Sequence, residues 1–122
     1  MRYGILVSLL ALSLNAVAAQ QSIDLPSCDV QGQHAVVGEI GGQISDPGQA
    51  HISVRANILS TDIGTLRKAR KITQVEANRM IKHIVTIRNQ TDRFVNQQGF
   101  LSAAERASFD REFDAIAMKL CR

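Results

Sequence analysis

Two copies of one short signal, 29 positions apart, constrain this chain more than anything else in it: Ile72-Thr73-Gln74-Val75-Glu76 and Leu101-Ser102-Ala103-Ala104-Glu105. Each is an aliphatic residue, a hydroxyl residue, and a Glu three positions later, set just before an apolar-periodic run. That order spells a capping box. The hydroxyl accepts from the N3 amide and the N3 carboxylate returns a bond to the N-cap amide, so two helix starts are written at Thr73 and Ser102.

A third start is written at Asp46-Pro47, where Asp suits the N-cap, Pro suits N1 and Gln49 sits at N3. Behind it Ile52, Ala56, Leu59, Ile63 and Leu66 recur at spacings of four and three, one continuous helical seam. Gly64 interrupts this helix and marks a candidate close contact between helices, and the helix is expected to end near Arg70, where cations suit the negative end of the dipole. After Thr73 the rhythm continues through Ala77, Met80, Ile84, Ile87, Thr91 and Phe94, widened by Ile81 and Val95, and Gly99 is a natural stop. After Ser102 the seam is Phe109, Phe113, Ile116 and Leu120. The linkers are short, so neighbouring helices are expected to run antiparallel. The fold class that follows is all-α: an up-down-up three-helix bundle over residues 46–122, preceded by a mostly irregular segment over 20–45 that Pro26, Gly32, Gly38, Gly41 and Gly42 keep out of any long helix.

Residues 1–19 read as a secretory signal peptide, with Arg2, an apolar run from Ile5 to Leu14, and small residues at Ala16-Val17-Ala18 and Val17-Ala18-Ala19. A transmembrane anchor is the rival, but the apolar run is short for a bilayer. Leu25-Pro26-Ser27-Cys28 bears some likeness to a lipoprotein box, yet residues 20–24 part it from the apolar run and lipidation would strand Cys121. The chain is thus expected in the periplasm or outside the cell. An exported chain with two cysteines, Cys28 and Cys121, implies one disulfide joining the start of the mature chain to its end.

Motifs for chemistry are sparse. With Gly99 as sixth residue of a calcium loop, Glu105 falls at the twelfth, but Phe94 then takes the first ligand position; one carboxylate cannot replace the hydration shell of the ion. His34, His51 and His83 are scattered and read as surface residues, and no metal site or cofactor is expected. Asp110, Glu112 and Asp114, with Arg106 and Arg111 beside them, read as a solvated charged face. Nothing assembles a nucleophile, base and oxyanion donor, so the chain is not read as an enzyme; the remaining possibility is an enzyme whose site the sequence hides.

Charge distribution gives the one functional direction. Residues 20–54 hold four acids and no Lys or Arg, whereas residues 55–93 hold nine bases against three acids. Arg67, Lys68, Arg70 and Lys71 gather at the turn between the first two long helices, and Arg79 and Lys82 follow about two turns later. These six form a candidate surface for an acidic protein or an anionic envelope component such as lipopolysaccharide. The competing expectation is a soluble charged turn, partly neutralised by the acidic 20–54 segment. Nucleic acid is disfavoured by the export signal, and the sequence does not set an oligomeric state.

Ile72-Thr73-x-x-Glu76 and Leu101-Ser102-x-x-Glu105 also resemble, weakly, the Leu-Thr-x-x-Gln motif of periplasmic helical stress proteins and ATP-independent chaperones. The likeness covers about ten residues, with Glu for Gln twice and Ser for Thr once, and any capped helix produces the same pattern. The resemblance implies a small exported helical protein that offers a basic, partly apolar surface to unfolded clients. The chain is equally similar to short bacterial envelope proteins without an assigned activity.

Overall fold

A computed structural model describes residues 24–122; the expected signal peptide at 1–19 lies outside the described residues. The described chain is a helical bundle. A 3-10 turn at Pro26–Cys28 leads into α1 (Val30–His34), followed by three long helices, α2 (Pro47–Lys68), α3 (Gln74–Gln98) and α4 (Ala103–Leu120). No strand occurs among the described residues; the Gly41–Ile44 turn forms a single isolated bridge.

The three helix starts fall where the sequence writes them. Asp46 accepts from Gln49 N–H at 2.8 Å, Thr73 from Glu76 N–H at 3.1 Å, and Ser102 from Glu105 N–H at 3.1 Å. Only Ser102 completes the reciprocal box, with its own N–H donating to Glu105 Oε1 at 3.0 Å. Gln98, from the end of α3, also donates to that carboxylate oxygen across the Gly99 turn, where glycine takes a φ of 86°. These donors hold the Glu105 carboxyl below its usual pKa, the Ser102 hydrogen bond foremost. Glu105 is thus spent on capping. Thr73 has no such helper upstream, and its box closes on one side only. Replacing Thr73 or Ser102 by Ala is expected to cost about 1 kcal/mol each, read as a lowered urea midpoint; unchanged midpoints in both would contradict these caps.

α2 is the central element, packed against both α3 and α4. Its seam Ile52, Ala56, Leu59 and Ile63 is at most 1 % exposed and meets Ala77, Ile84 and Ile87 of α3 and Phe109, Phe113, Ile116, Ala117 and Leu120 of α4. Two expectations need correction. A side chain at Gly64 would meet only open space, so this glycine makes no close helix contact. Phe94 is 38 % exposed and leans on the Phe109 ring, 6.1 Å between centroids, at the rim and not in the core.

Residues 24–45 form a strap across α2 and α4. Cys28 is bonded to Cys121 just past the end of α4, with their Cα atoms 5.8 Å apart. Ser27, fully buried, donates through both N–H and hydroxyl to Asp62 Oδ2 of α2. Further along, His34 meets Asp114, and Arg106 donates to the His34 carbonyl at 3.0 Å. Gly38 then lies so close to α2 that a Cβ there would sit 2.0 Å from the Ala50 carbonyl oxygen, which leaves room for glycine alone. The strap therefore travels from the end of α4 toward the start of α2. Leu25 at its beginning joins the core, 6 % exposed.

Candidate functional site

The basic turn is built by how α2 ends. Ala69 closes the helix, and Arg70 takes the left-handed conformation at φ 59°. Lys71 N–H then reaches back to the Leu66 carbonyl at 2.9 Å and Arg70 N–H to Arg67 at 3.0 Å, the paired bonds of a Schellman ending. Glycine usually fills that position because a Cβ there costs about 1–2 kcal/mol. This chain places a cation in it instead. Arg70→Gly is expected to raise stability by about 0.5–1 kcal/mol, the strain relieved less the entropy glycine loses on folding; a lower urea midpoint for that variant would contradict it.

Arg67, Arg70 and Lys71 line one shallow depression of about 400 Å³ together with Ile72, Thr73, Gln74 and Glu76. Arg67 is half-buried and Lys68, Arg70, Lys71, Arg79 and Lys82 are exposed. Lys68, Arg79 and Lys82 do not line the depression, so three of the six predicted cations are brought together in it and three stand outside. Among the described residues none of the six forms an ion pair. Of the acids of the 20–54 segment, Asp29 caps α1, and Asp46 caps the opposite end of α2, about 33 Å away along a 22-residue helix.

A second constellation went unread in the sequence. His51, expected at the surface, is 1 % exposed, and Arg55, counted among the basic excess, is fully buried. Asp110, expected on a solvated face, is 6 % exposed and faces both. His51 Nε2 stands 2.7 Å from Asp110 Oδ1, and its Nδ1 2.7 Å from the Val36 carbonyl of the strap. Arg55 donates to Asp110 Oδ1 at 2.9 Å and to Asp114 Oδ1 at 3.0 Å, and its guanidinium lies 5.3 Å from the centre of the Phe113 ring. His34 Nε2 meets the other Asp114 oxygen at 2.7 Å. Burial alone would raise the Asp110 pKa; the bonds from His51 and Arg55 outweigh it and hold the carboxyl below its usual value.

This cluster is a fastening. His51 Nε2 is bound to the Asp110 carboxylate and Nδ1 to the Val36 carbonyl, so both ring nitrogens are engaged within the fold. Its effect is to tie α2 to α4 and both to the strap. A cue was present: His51 and Arg55 each stand one position before a seam residue of α2, and Asp110 and Asp114 each one position after a seam residue of α4. A His–Arg pair and an Asp–Asp pair, each at i, i+4 spacing beside facing seams, can meet across a helix interface. The third histidine, His83, is exposed and pairs with Glu112 at 3.1 Å. Among the described residues no group of three His, Cys, Asp or Glu is placed to hold a metal ion, and no helix is long and apolar enough to cross a membrane. No protein-family model, curated protein or solved structure matches the chain.

Proposed function

We propose that this chain is an exported, non-catalytic binding module that engages an acidic partner, a protein or an anionic envelope component, through the basic turn between α2 and α3. The observation that carries this reading is the absence, among the described residues, of any ion-pair partner for Arg67, Lys68, Arg70, Lys71, Arg79 or Lys82. Neutralisation by the chain's own acidic segment is the rival reading, and the distant position of Asp46 and the lack of any ion pair to these cations among the described residues speak against it. A strained arginine where glycine is favoured points the same way. The disulfide suits a periplasmic or secreted location. The scaffold that presents the turn is read as an up-down-up arrangement of α2, α3 and α4, supported by cross-helix bonds from Gln49 to Asp92 and from Arg88 to Asn57.

A chaperone-like variant of the same reading draws on apolar exposure. Val75, just inside α3 beside the basic turn, is 60 % exposed, and Phe100, in the turn between α3 and α4, is 52 % exposed. Such residues can hold an unfolded client that the cations first attract.

A pull-down from envelope extract tests the proposal. The wild type is expected to retain an acidic partner that a variant with Arg67, Lys68, Arg70 and Lys71 all changed to Gln releases, while helical circular dichroism stays the same. Equal retention by both proteins would overturn it.

A further inference from the structure

At the far end of α2 from the basic turn lies a groove of about 760 Å³, bounded by the Gly41–Ile44 turn, α2 and α3. That size falls within the range of about 300–1,000 Å³ usual for small-molecule sites. Two charges on α3 line it, Arg88 and Asp92. A cation and an anion four residues apart on a helix ordinarily pair with each other. Here they do not: among the described residues neither takes part in an ion pair. Arg88 is drawn to α2, donating to Ser53 Oγ at 3.3 Å and to Asn57 Oδ1, both neutral acceptors. Asp92 accepts from Gln49 Nε2 at 2.9 Å. The groove thus holds a positive and a negative group, each bound only to neutral partners.

Gln49 adds a third element. It is 9 % exposed, lines the groove, and its Oε1 has no hydrogen-bond partner among the described residues. Turning the amide over would set its oxygen against the Asp92 carboxylate, so the bond to Asp92 fixes the orientation. That oxygen is itself buried, so what the groove is offered is the Asp92 carboxylate that the amide holds. The exposed Asp92 carboxylate is an acceptor suited to an ammonium group; Arg88, with five N–H donors, keeps donors beyond its bonds to Ser53 and Asn57 for a carboxylate. The lining has no aromatic ring on which a sugar could stack.

We propose that this groove binds a small zwitterion of the free α-amino-acid type, its ammonium against Asp92 and its carboxylate against Arg88. The Gly41–Ile44 turn, closed on itself by reciprocal backbone bonds of 3.0 Å, forms an uncharged wall on one side, and Gln43 and Asn96 at the margins meet the ligand's side chain. This site is independent of the basic turn: Gln49 and Arg67 are 18 residues apart on α2, about 27 Å along its axis.

The test is calorimetric titration of the full chain with each of the free amino acids, backed by thermal midpoints at about 10 mM ligand. At least one amino acid is expected to bind with a Kd of about 1 mM or tighter and to raise the midpoint. Its N-acetyl and carboxamide derivatives, each lacking one charge, are expected to bind at least about tenfold more weakly, as is the amino acid itself to Asp92→Asn and to Arg88→Gln. Should Arg88→Gln fail to fold, the two derivatives measured on the wild type decide alone. The proposal is overturned if no amino acid binds at that concentration, if the derivatives bind as well as the parent, or if a neutral polyol binds equally well.

Discussion

Removing the Cys28–Cys121 bridge is expected to lower stability by about 2–5 kcal/mol, one of the two largest single effects available in this molecule. The bridge closes a loop of 93 residues, nearly the whole described chain, and in the chain-entropy model so long a loop constrains the unfolded state by about 4–5 kcal/mol. The native state bears on the outcome too. The strap keeps the Ser27–Asp62, His34–Asp114 and Val36–His51 bonds when the bridge is cut, so it is expected to loosen from its Cys28 end first. Urea midpoints of the Cys28→Ser/Cys121→Ser double variant measure the global cost. Amide hydrogen exchange measures the local one: residues 26–34 should lose protection before α2. An unchanged midpoint would show that the bridge ties together ends already held.

The second large effect is expected at Asp110. Replacing it by Ala leaves buried His51 without its carboxylate and buried Arg55 with Asp114 alone, and breaking a buried ion pair from one side typically costs about 3–5 kcal/mol. Exchanging the whole set for apolar residues of similar volume is expected to cost far less, because the buried polar groups left short of partners, not the lost pair, are what destabilise. The same carboxylate makes a pH prediction. Its pKa is lowered in the folded state, so its contribution is complete above the usual aspartate value near pH 4 and is lost as pH falls through the lower folded value. Wild-type urea midpoints should therefore drop below about pH 4, and the Asp110→Asn variant should show a shallower drop. Equal slopes would mean that Asp110 contributes no acid sensitivity.

Most of the helical layout was legible because its signals are local. Asp46, Thr73 and Ser102 each announce a helix start through hydrogen bonds closed within three residues, and the seams of α2 and α4 follow the period of the helix itself. The disulfide was legible by elimination, since a chain read as exported and holding two cysteines has one way to pair them. The buried cluster was not, because His51 and Asp110 are 59 residues apart and each looks like surface beside its own neighbours. Only the superposition of α2 on α4 puts them in contact, and that register depends on the packed core. The pinning of the strap by its disulfide was legible, but its contacts were not: its partners, Asp62, Asp114 and Ala50, belong to other elements, and Gly38 reads as a helix breaker until the backbone of α2 is found against it. At the basic turn the charges could be counted from sequence, but the left-handed Arg70 could not, since that position calls for glycine.

The salt dependence of partner binding tests the basic turn most directly. An affinity that rests on exposed cations is screened over about 8 Å at physiological ionic strength, so binding of the captured partner should weaken steadily as salt rises. The variant with Arg67, Lys68, Arg70 and Lys71 changed to Gln should bind more weakly at low salt and respond little to its increase. An affinity that ignores both salt and that substitution would contradict the proposed function and leave the basic turn a solvated surface.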